Sequence, residues 1–223
     1  AFTAMRAHGS QITDIAILVV AADDSVKPQT LEAINHAKNA DVPIIVAMTK
    51  IDRPDVNPQR VYEDLGANGL VVEEWGGTVP SQGVSGITGE GVEDLLELVA
   101  IQADLMELKA NPKRTGAGVV VEAGQQKGRG SVATILVQKG TISVGDIMVA
   151  GTSSGRIRSL TDEYGRKVDQ AGPSTPVEIT GFDHVPEFAD RFFTVDSEKV
   201  ARNFVEQRVA RAKDQMVRGA DKV

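Results

Sequence analysis

Two short segments of the sequence carry residue types that could recognise a purine base. The first, Thr49-Lys50-Ile51-Asp52, directly follows an apolar run that ends at Met48. A carboxylate at Asp52 could accept two hydrogen bonds from the N1–H and the exocyclic amine of guanine. Adenine lacks that pair of donors and would leave the carboxylate unpaired. The stem of Lys50 could lie along the flat base, and the hydroxyl of Thr49 could tether neighbouring loops. These residue types predict selection of guanine.

The second segment, Ser85-Gly86-Ile87, begins a loop of small residues that runs to Gly91 and leads into a helical pattern. Backbone N–H groups in such a loop could reach the oxygen of a bound base. Four residues make a weak motif by themselves, and Asp52 could also serve as a turn residue or a helix N-cap. The preceding strand and the second loop strengthen the prediction of a base-binding site, because ligands of α/β sheets bind beyond the carboxyl ends of strands.

Other chemistry-bearing residues have equally simple structural interpretations. Asp23-Asp24 could hold a metal or could form a solvated turn at a strand end, and Trp75 could stack on nucleic acid or pack under the Gly76-Gly77 turn. The three histidines have no metal-ligand spacing. We therefore predict no metal site and no catalytic residue in this chain.

The charge of the chain changes sign near its middle. Residues 1–110 contain 7 Lys and Arg against 17 Asp and Glu, whereas residues 111–223 contain 17 against 14. A balance of −10 followed by +3 suggests two domains with different partners. The basic half is the better candidate for contacts to nucleic acid, although these cations could equally form an ordinary solvated surface. The candidates for phosphate contact are Lys127, Arg129, Arg156, Arg158, Arg166 and Lys167.

The first half of the chain alternates apolar runs with helical patterns. Continuous β-branched runs at 14–20 and 42–48 are typical of parallel strands buried on both faces, and a shorter strand is expected at Leu70–Val72. Helices are expected at 29–40, from Pro58, and at 92–108 with Leu95, Leu96, Val99, Ala103 and Met106 inside. Pro80 and Gly83 indicate an irregular or edge strand before Ser85. This βαβαβα order predicts an α/β, doubly wound domain.

The second half has a different rhythm. Residues 111–116 are polar and contain Pro112, which marks a boundary. Short strands follow at near-regular spacing, interrupted by glycines, and predict an all-β antiparallel barrel. The expected strands are 119–121, 131–137, 147–149, 156–158, 176–179 and 192–195. A polar helix follows from Asp196 to Val217. The predicted domains are therefore 1–110, 111–195 and a connector helix at 196–223.

Composition excludes several classes of protein. The 223 residues are 41% hydrophobic and 25% charged, which excludes disorder over the whole length. The absence of cysteine excludes a disulfide scaffold and thiolate chemistry. The longest apolar run, Ile15–Ala22, has eight residues against roughly 20 for a membrane-spanning helix, so no membrane association is expected.

The sequence resembles the middle of the bacterial-type translation initiation factor 2 family of translational GTPases. In the first half the resemblance rests on Phe2–Ala7, Val19–Asp24, Pro28–Thr30, Glu32–Lys38, Glu73–Gly77 and Thr88–Gly91. In the second half it rests on Glu107–Pro112, Lys127–Gly130, Val144–Asp146 and Ala171–Glu178. The stretches at 107–112 and 171–178 disfavour an elongation factor.

The resemblance implies an incomplete P-loop GTPase-type domain followed by the family's barrel and the start of a connector helix. It implies GTP or GDP with Mg²⁺ as the cofactor of the full protein, docking of the barrel on rRNA of the small ribosomal subunit, and placement of initiator tRNA through domains downstream. It also implies a monomer in the bacterial cytoplasm, with the mitochondrial matrix as the alternative. The phosphate loop and the Asp-x-Pro-Gly-His segment are not in this sequence, so we expect no GTP hydrolysis by this chain alone.

Two positions depart from the family pattern. The guanine-reading motif Asn-Lys-x-Asp falls on Thr49–Asp52, where Thr replaces Asn and is expected to weaken the tether between loops. The second motif, Ser-Ala-Lys, falls on Ser85–Ile87, where Ile87 removes one stem that would pack on the base. The alternative function is a non-catalytic module that binds ribosomal RNA without nucleotide chemistry.

Overall fold

The computed structural model describes residue 9 and residues 12–24 and 26–220, with side chains up to residue 213. The segment Phe2–Ala7, on which part of the resemblance rests, lies outside the described residues. The chain divides into two compact units, residues 1–108 and 109–223.

The first unit is built on a parallel three-stranded sheet. Its strands are β1 (Ala16–Ala21), β2 (Ile44–Thr49) and β3 (Ser81–Gly83), in that spatial order. The helices that follow them are α1 (Pro28–Asn39), α2 (Pro58–Ala67) and α3 (Val92–Met106). The predicted α/β class is confirmed, and β3 is the short edge strand that Pro80 and Gly83 indicate.

One face of this sheet carries the core of the first unit. Leu18 and Val20 of β1 pack with Ile34 of α1 and Leu65 of α2, and the central strand β2 is buried almost throughout. The expectation that the first strand is buried on both faces is wrong, because Ile17 and Val19 are 44% and 61% exposed. The helix α3 packs against β2 and β3, and among the described elements none covers that face of β1.

The apolar pattern of α3 predicted more burial than the structure shows. Leu96, expected inside, is 61% exposed, and no residue of α3 is fully buried. The helix lies over only the short β3 and part of β2, so its apolar side is wider than the sheet beneath it. Leu95, Val99, Ala103 and Met106 are half-buried.

The strand expected at Leu70–Val72 is wrong. Val72 makes a single bridge to Val79, and the chain turns at once through a 3₁₀ turn at Glu73–Trp75. The N–H of Gly77 donates to the oxygen of Val72, and a Cβ on Gly77 would lie 2.0 Å from the oxygen of Val71. This return of the chain on itself prevents an extended strand. Trp75, 47% exposed, lies at the turn and not beneath it.

The second unit is a closed antiparallel barrel with a helix on its wall. Its strands are β4 (Ala117–Gln126), β5 (Gly130–Lys139), β6 (Ile142–Ser143), β7 (Ile147–Ala150), β8 (Ser153–Thr161), β9 (Lys167–Val168), β10 (Gln170–Ala171), β11 (Thr175–Phe182) and β12 (Arg191–Val195). Six of them follow one another in the order β11-β5-β4-β12-β7-β8, and β8 pairs with β11 to close the ring. The short strand β9 pairs with β8, whereas β6 and β10 pair with each other in a separate two-stranded sheet. The predicted all-β class of the second unit is confirmed.

The C-terminal helix α4 (Glu198–Ala220) packs on β7, β8 and β12. Ala201 is buried, and the ring of Phe204 meets the ring of Phe193 edge to face, with 5.2 Å between centroids. The guanidinium of Arg208 lies 5.2 Å from the centroid of Phe193 and donates to the oxygen of Gly151 at 2.6 Å. The first turns of this helix are therefore part of the barrel unit.

Candidate functional site

The guanine-binding candidates lie at one edge of the first sheet. The parallel strands β1, β2 and β3 end at Ala21, Thr49 and Gly83, so their carboxyl ends share that edge. Thr49 is the last residue of β2 and Lys50–Asp52 follow it directly, while Ser85–Ile87 begins two residues after the end of β3. The structure thus brings together both loops that the sequence analysis singled out, where ligands of α/β sheets bind.

Val84 joins the two loops through its backbone. Its N–H donates to the oxygen of Met48 at 2.8 Å, and its own oxygen lies 3.5 Å from the amide nitrogen of Ile51, which donates to it. The side chain of Ile51 packs beside Gly83. The oxygen of Thr49 accepts from the N–H of Ala22 at 2.8 Å, so the main chain of Thr49 ties β2 to the end of β1.

Lys50 is held by Asp23 from the end of β1. Its backbone is left-handed, with φ of 63°, and its Nζ lies 2.9 and 3.1 Å from the two carboxylate oxygens of Asp23. Arg53 makes a second ion pair with the same carboxylate. The hydrogen bond from Lys50 is the main cause that lowers the pKa of Asp23 below its usual value. The Lys50 side chain therefore crosses the edge between β2 and β1.

Asp52 is exposed in the turn after β2, and within the described ranges no hydrogen bond or ion pair engages its carboxylate. It is not a helix cap, because α2 begins at Pro58 and its cap is Asn57, whose side chain accepts from the N–H of Arg60 at 3.2 Å. A carboxylate with both oxygens open can accept the two hydrogen bonds that the guanine edge donates.

Ser85 organises the second loop from inside. The residue is fully buried, and its hydroxyl accepts from the N–H of Ile87 at 3.2 Å and of Thr88 at 3.1 Å. A Cβ on Gly91 would lie 1.9 Å from the oxygen of Gly83, so the end of the loop approaches β3 closely. Gly86 is exposed and the side chain of Ile87 is 87% exposed. This loop is rigid at its base and open at its tip.

The six barrel cations fall into two groups of three. Arg129 pairs with Glu178 at 2.6 Å, Arg156 with Glu198 at 3.1 Å, and Arg166 with Asp162 at 2.7 Å. Among the described residues no hydrogen bond or ion pair engages the second group, which comprises Lys127, Arg158 and Lys167. The second group can therefore contact a phosphate without first releasing a carboxylate.

Strand register places several of these cations on one side of the barrel. Glu178 of β11, the partner of Arg129, is paired with Thr161 of β8, which is paired in turn with Lys167 of β9. Lys127 shares the β4–β5 turn with Arg129, and the stem of Arg158 passes beside Gly181 of β11. Arg156 instead points toward α4, where it also donates to the oxygen of Gly145 at 3.0 Å.

The structure adds two residues to the guanine-site candidates, Asp23 and Val84. Asp23 could have been found from its place just after the β1 run, because the ends of parallel strands converge. The backbone role of Val84 carries no signal in the sequence. Asp24, the other half of the acidic pair, contacts Lys27 at 3.0 Å.

In the described part of the chain, no cluster of three or more His, Asp or Glu is arranged to hold a metal. No described helix combines the length and the apolar character needed to cross a membrane.

Two domain families match the chain in succession. Residues 1–104 match the elongation factor Tu GTP binding domain, and residues 115–195 match elongation factor G domain 2. Among solved structures, GDP-bound aIF5B from Aeropyrum pernix is 23% identical with a TM-score of 0.77, over 93% of this chain and 44% of that one. The elongation factor SelB from Methanococcus maripaludis has a TM-score of 0.66 over 84% of this chain and 41% of its own. These likenesses establish the fold.

Curated proteins found by sequence have higher identity to the chain than these solved structures do. The translation initiation factor IF-2 of Pelotomaculum thermopropionicum is 54% identical over all 223 residues, and that of Desulfitobacterium hafniense is 57% identical over the same length. The chain spans about a quarter of the length of these curated relatives, 23% of each. With identity above one half over its full length, the chain matches a segment of translation initiation factor IF-2.

Proposed function

We propose that this chain is the guanine-selecting and ribosome-docking segment of a translation initiation factor. In this assignment residues 1–110 are the C-terminal part of a GTP-binding domain, 111–195 the second, barrel domain, and 196–223 a connector helix. The observation that carries the nucleotide proposal is the backbone of Val84, whose hydrogen bonds with Met48 and Ile51 tie the loop that carries Asp52 to the segment that leads into the Ser85 loop. The names of the relatives and of the GDP-bound neighbour support it.

The two loops would bind the base and leave the phosphates to other parts of the whole protein. The carboxylate of Asp52 would accept from N1–H and the exocyclic amine, and N–H groups of the 85–87 loop would face the base oxygen. Lys50, fixed by Asp23, would place its stem against one face of the ring. Thr49 and Ile51 hold the loop by main-chain and packing contacts. Mg²⁺ would accompany the phosphates of GTP or GDP in the full protein.

The barrel would dock on rRNA of the small subunit through its free cations. Lys127, Arg158 and Lys167 would contact phosphates first, with Arg129, Arg156 and Arg166 restrained by their carboxylate partners. The full factor would assist placement of initiator tRNA and joining of the subunits through regions other than these. We propose a monomer that acts in the bacterial cytoplasm, as the bacterial relatives suggest.

A change of base preference tests the guanine site. Asp52→Asn replaces one acceptor with a donor, so it should weaken guanosine binding and favour xanthosine, whose carbonyl oxygen replaces the exocyclic amine. We expect the unmodified chain to prefer guanosine to adenosine in a nuclear magnetic resonance titration. Asp55→Asn, a nearby exposed carboxylate, is the matched control. Equal binding of all nucleosides by both proteins would refute the guanine site and favour the module without nucleotide chemistry.

Co-sedimentation with small ribosomal subunits over a salt series tests the docking. Binding should be saturable and should weaken steeply with salt, and triple replacement of Lys127, Arg158 and Lys167 by Ala should reduce the salt slope by about 3. The same number of Ala substitutions at Lys199, Arg202 and Arg211 of α4 is the control. Absence of binding at low salt would refute docking by this segment.

A further inference from the structure

The tip of the β8–β9 hairpin, residues 162–166, presents an aromatic ring to solvent. Tyr164 is 74% exposed, and the guanidinium carbon of Arg166 lies 4.9 Å from the centre of its ring. Along residues 153–171, Tyr164 is the one large hydrophobic residue that is exposed. With about three quarters of its surface in solvent, the ring leaves most of its area available to a planar ligand.

The tip is ordered from within by Asp162, whose side chain is only 9% exposed. Its carboxylate accepts from the N–H of Tyr164 at 3.0 Å and from the N–H of Arg166 at 2.8 Å, and the Arg166 side chain donates to it at 2.8 Å through Nε. The N–H of Gly165 also donates to the oxygen of Asp162 at 3.0 Å. The ring and the guanidinium are thus in place before any ligand arrives, which lowers the entropic cost of binding.

The charges of the tip point to stacking and not to phosphate attraction. Asp162 and Glu163 outnumber the single cation Arg166, so residues 162–166 carry a net charge of −1 and offer little attraction for phosphate. Unpaired bases of RNA stack on aromatic side chains and on the planes of guanidinium groups, and the tip offers both kinds of group. A protein partner would instead favour further apolar neighbours around the ring, and the hairpin offers none among its described residues.

We propose that Tyr164, backed by Arg166, is a stacking platform for one unpaired base of ribosomal RNA. The proposal deepens the docking proposed above and rests on it for the identity of the RNA. The base lies on the open face of the Tyr164 ring, and two cations, Lys167 of β9 and Arg158 of β8, contact the adjoining RNA backbone. The cations supply the salt-dependent part of the affinity, and the ring supplies a part that salt does not screen.

Substitutions at Tyr164 separate these two parts in the co-sedimentation assay. Tyr164→Ala should weaken binding to small subunits by about 5- to 100-fold at every salt concentration, with the slope against salt unchanged. Tyr164→Phe keeps the ring and should bind as the parent chain does. Val144→Ala, which shortens another exposed apolar residue of the barrel unit, is the control and should have no effect. Lys167→Ala should reduce the slope instead.

The chain has only two tyrosines, so contact of RNA with the Tyr164 ring can be observed directly by nuclear magnetic resonance. With 3-fluorotyrosine in both positions, addition of single-stranded oligoadenylate should shift the ¹⁹F signal of Tyr164. The signal of Tyr62, whose hydroxyl is 2.9 Å from that of Ser81 in the first unit, should stay. Tyr164→Phe identifies the signal by its loss.

The outcomes distinguish failure of the platform from failure of docking. If Tyr164→Ala leaves the binding of small subunits unchanged, the stacking platform is refuted and the docking proposal stands. Equal losses in the Ala and Phe variants would assign the effect to the hydroxyl and overturn stacking. Loss of subunit binding in the Ala variant without any shift by oligoadenylate would assign the ring to a ribosomal protein. If the parent chain fails to bind subunits, the docking proposal is refuted. The ¹⁹F titration with oligoadenylate then still tests whether the ring stacks on RNA.

Discussion

The open sheet of the first unit and the closed barrel of the second solve the problem of covering apolar surface differently. In the barrel, inward residues such as Ile135 and Val137 are completely buried because the ring of strands has no free edge. In the sheet, β1 buries Leu18 and Val20 but exposes Val19 on its other face. The barrel therefore covers its apolar residues within one unit, whereas the unit with the candidate base-binding loops leaves apolar residues of β1 exposed.

The same contrast separates the two kinds of site. The candidate base-binding loops depend on backbone contacts at the ends of β2 and β3, so the proposed site is only as stable as the sheet that carries it. The barrel cations stand on strands and tight turns whose core is complete. We therefore expect the first unit to unfold before the second. Trp75 is the single tryptophan of the chain, so its fluorescence follows the first unit alone.

The largest expected effect is in the barrel. Ile135→Ala removes a fully buried side chain from a closed core and should lower the free energy of unfolding of the second unit by about 2–5 kcal/mol. The transition followed by far-ultraviolet circular dichroism should move, and the transition followed by Trp75 should not. Ile101→Ala makes the same chemical change where the side chain is 49% exposed and is the control. Equal movement of both transitions would mean that the units unfold as one.

An intermediate effect is expected in the second loop. Ser85→Ala removes a buried hydroxyl that accepts two backbone N–H groups, which should cost the first unit about 1–2 kcal/mol. It should also weaken guanosine binding, because the N–H groups near the base lose their fixed orientation. Thr88→Ala removes an exposed hydroxyl that accepts one N–H, from Glu90 at 3.3 Å, and should change both quantities less. A Trp75 transition that Ser85→Ala leaves in place would show that the loop adds nothing to the sheet.

Much of this arrangement could be predicted because it is local in sequence. The run before Thr49 had to be a buried parallel strand, and the motif after it had to lie at the sheet edge. The exposure of one face of β1 could not be predicted, because a continuous apolar run has the same sequence pattern whether one face of the strand is covered or both are. The turn at Glu73–Trp75 overrode the β propensity of Leu70–Val72 through Gly77. The partners of the barrel cations depend on register between distant strands, as in Arg129 and Glu178, 49 residues apart.

The smallest expected effect tests whether the open face of β1 is open in solution. Val19→Thr is nearly isosteric and keeps a β-branched residue, so at a position 61% exposed it should change the stability of the first unit by less than about 0.5 kcal/mol. The buried counterpart, Val46→Thr in β2, places a hydroxyl in a fully buried position and should cost about 1–3 kcal/mol. Both are read from the Trp75 transition. A cost above about 1 kcal/mol at Val19 would mean that this face is covered after all. If the destabilisation by Val19→Thr increases with protein concentration, and the sedimentation coefficient of the parent chain increases over the same concentrations, the cover is a second copy of the chain. That result would contradict the proposed monomer.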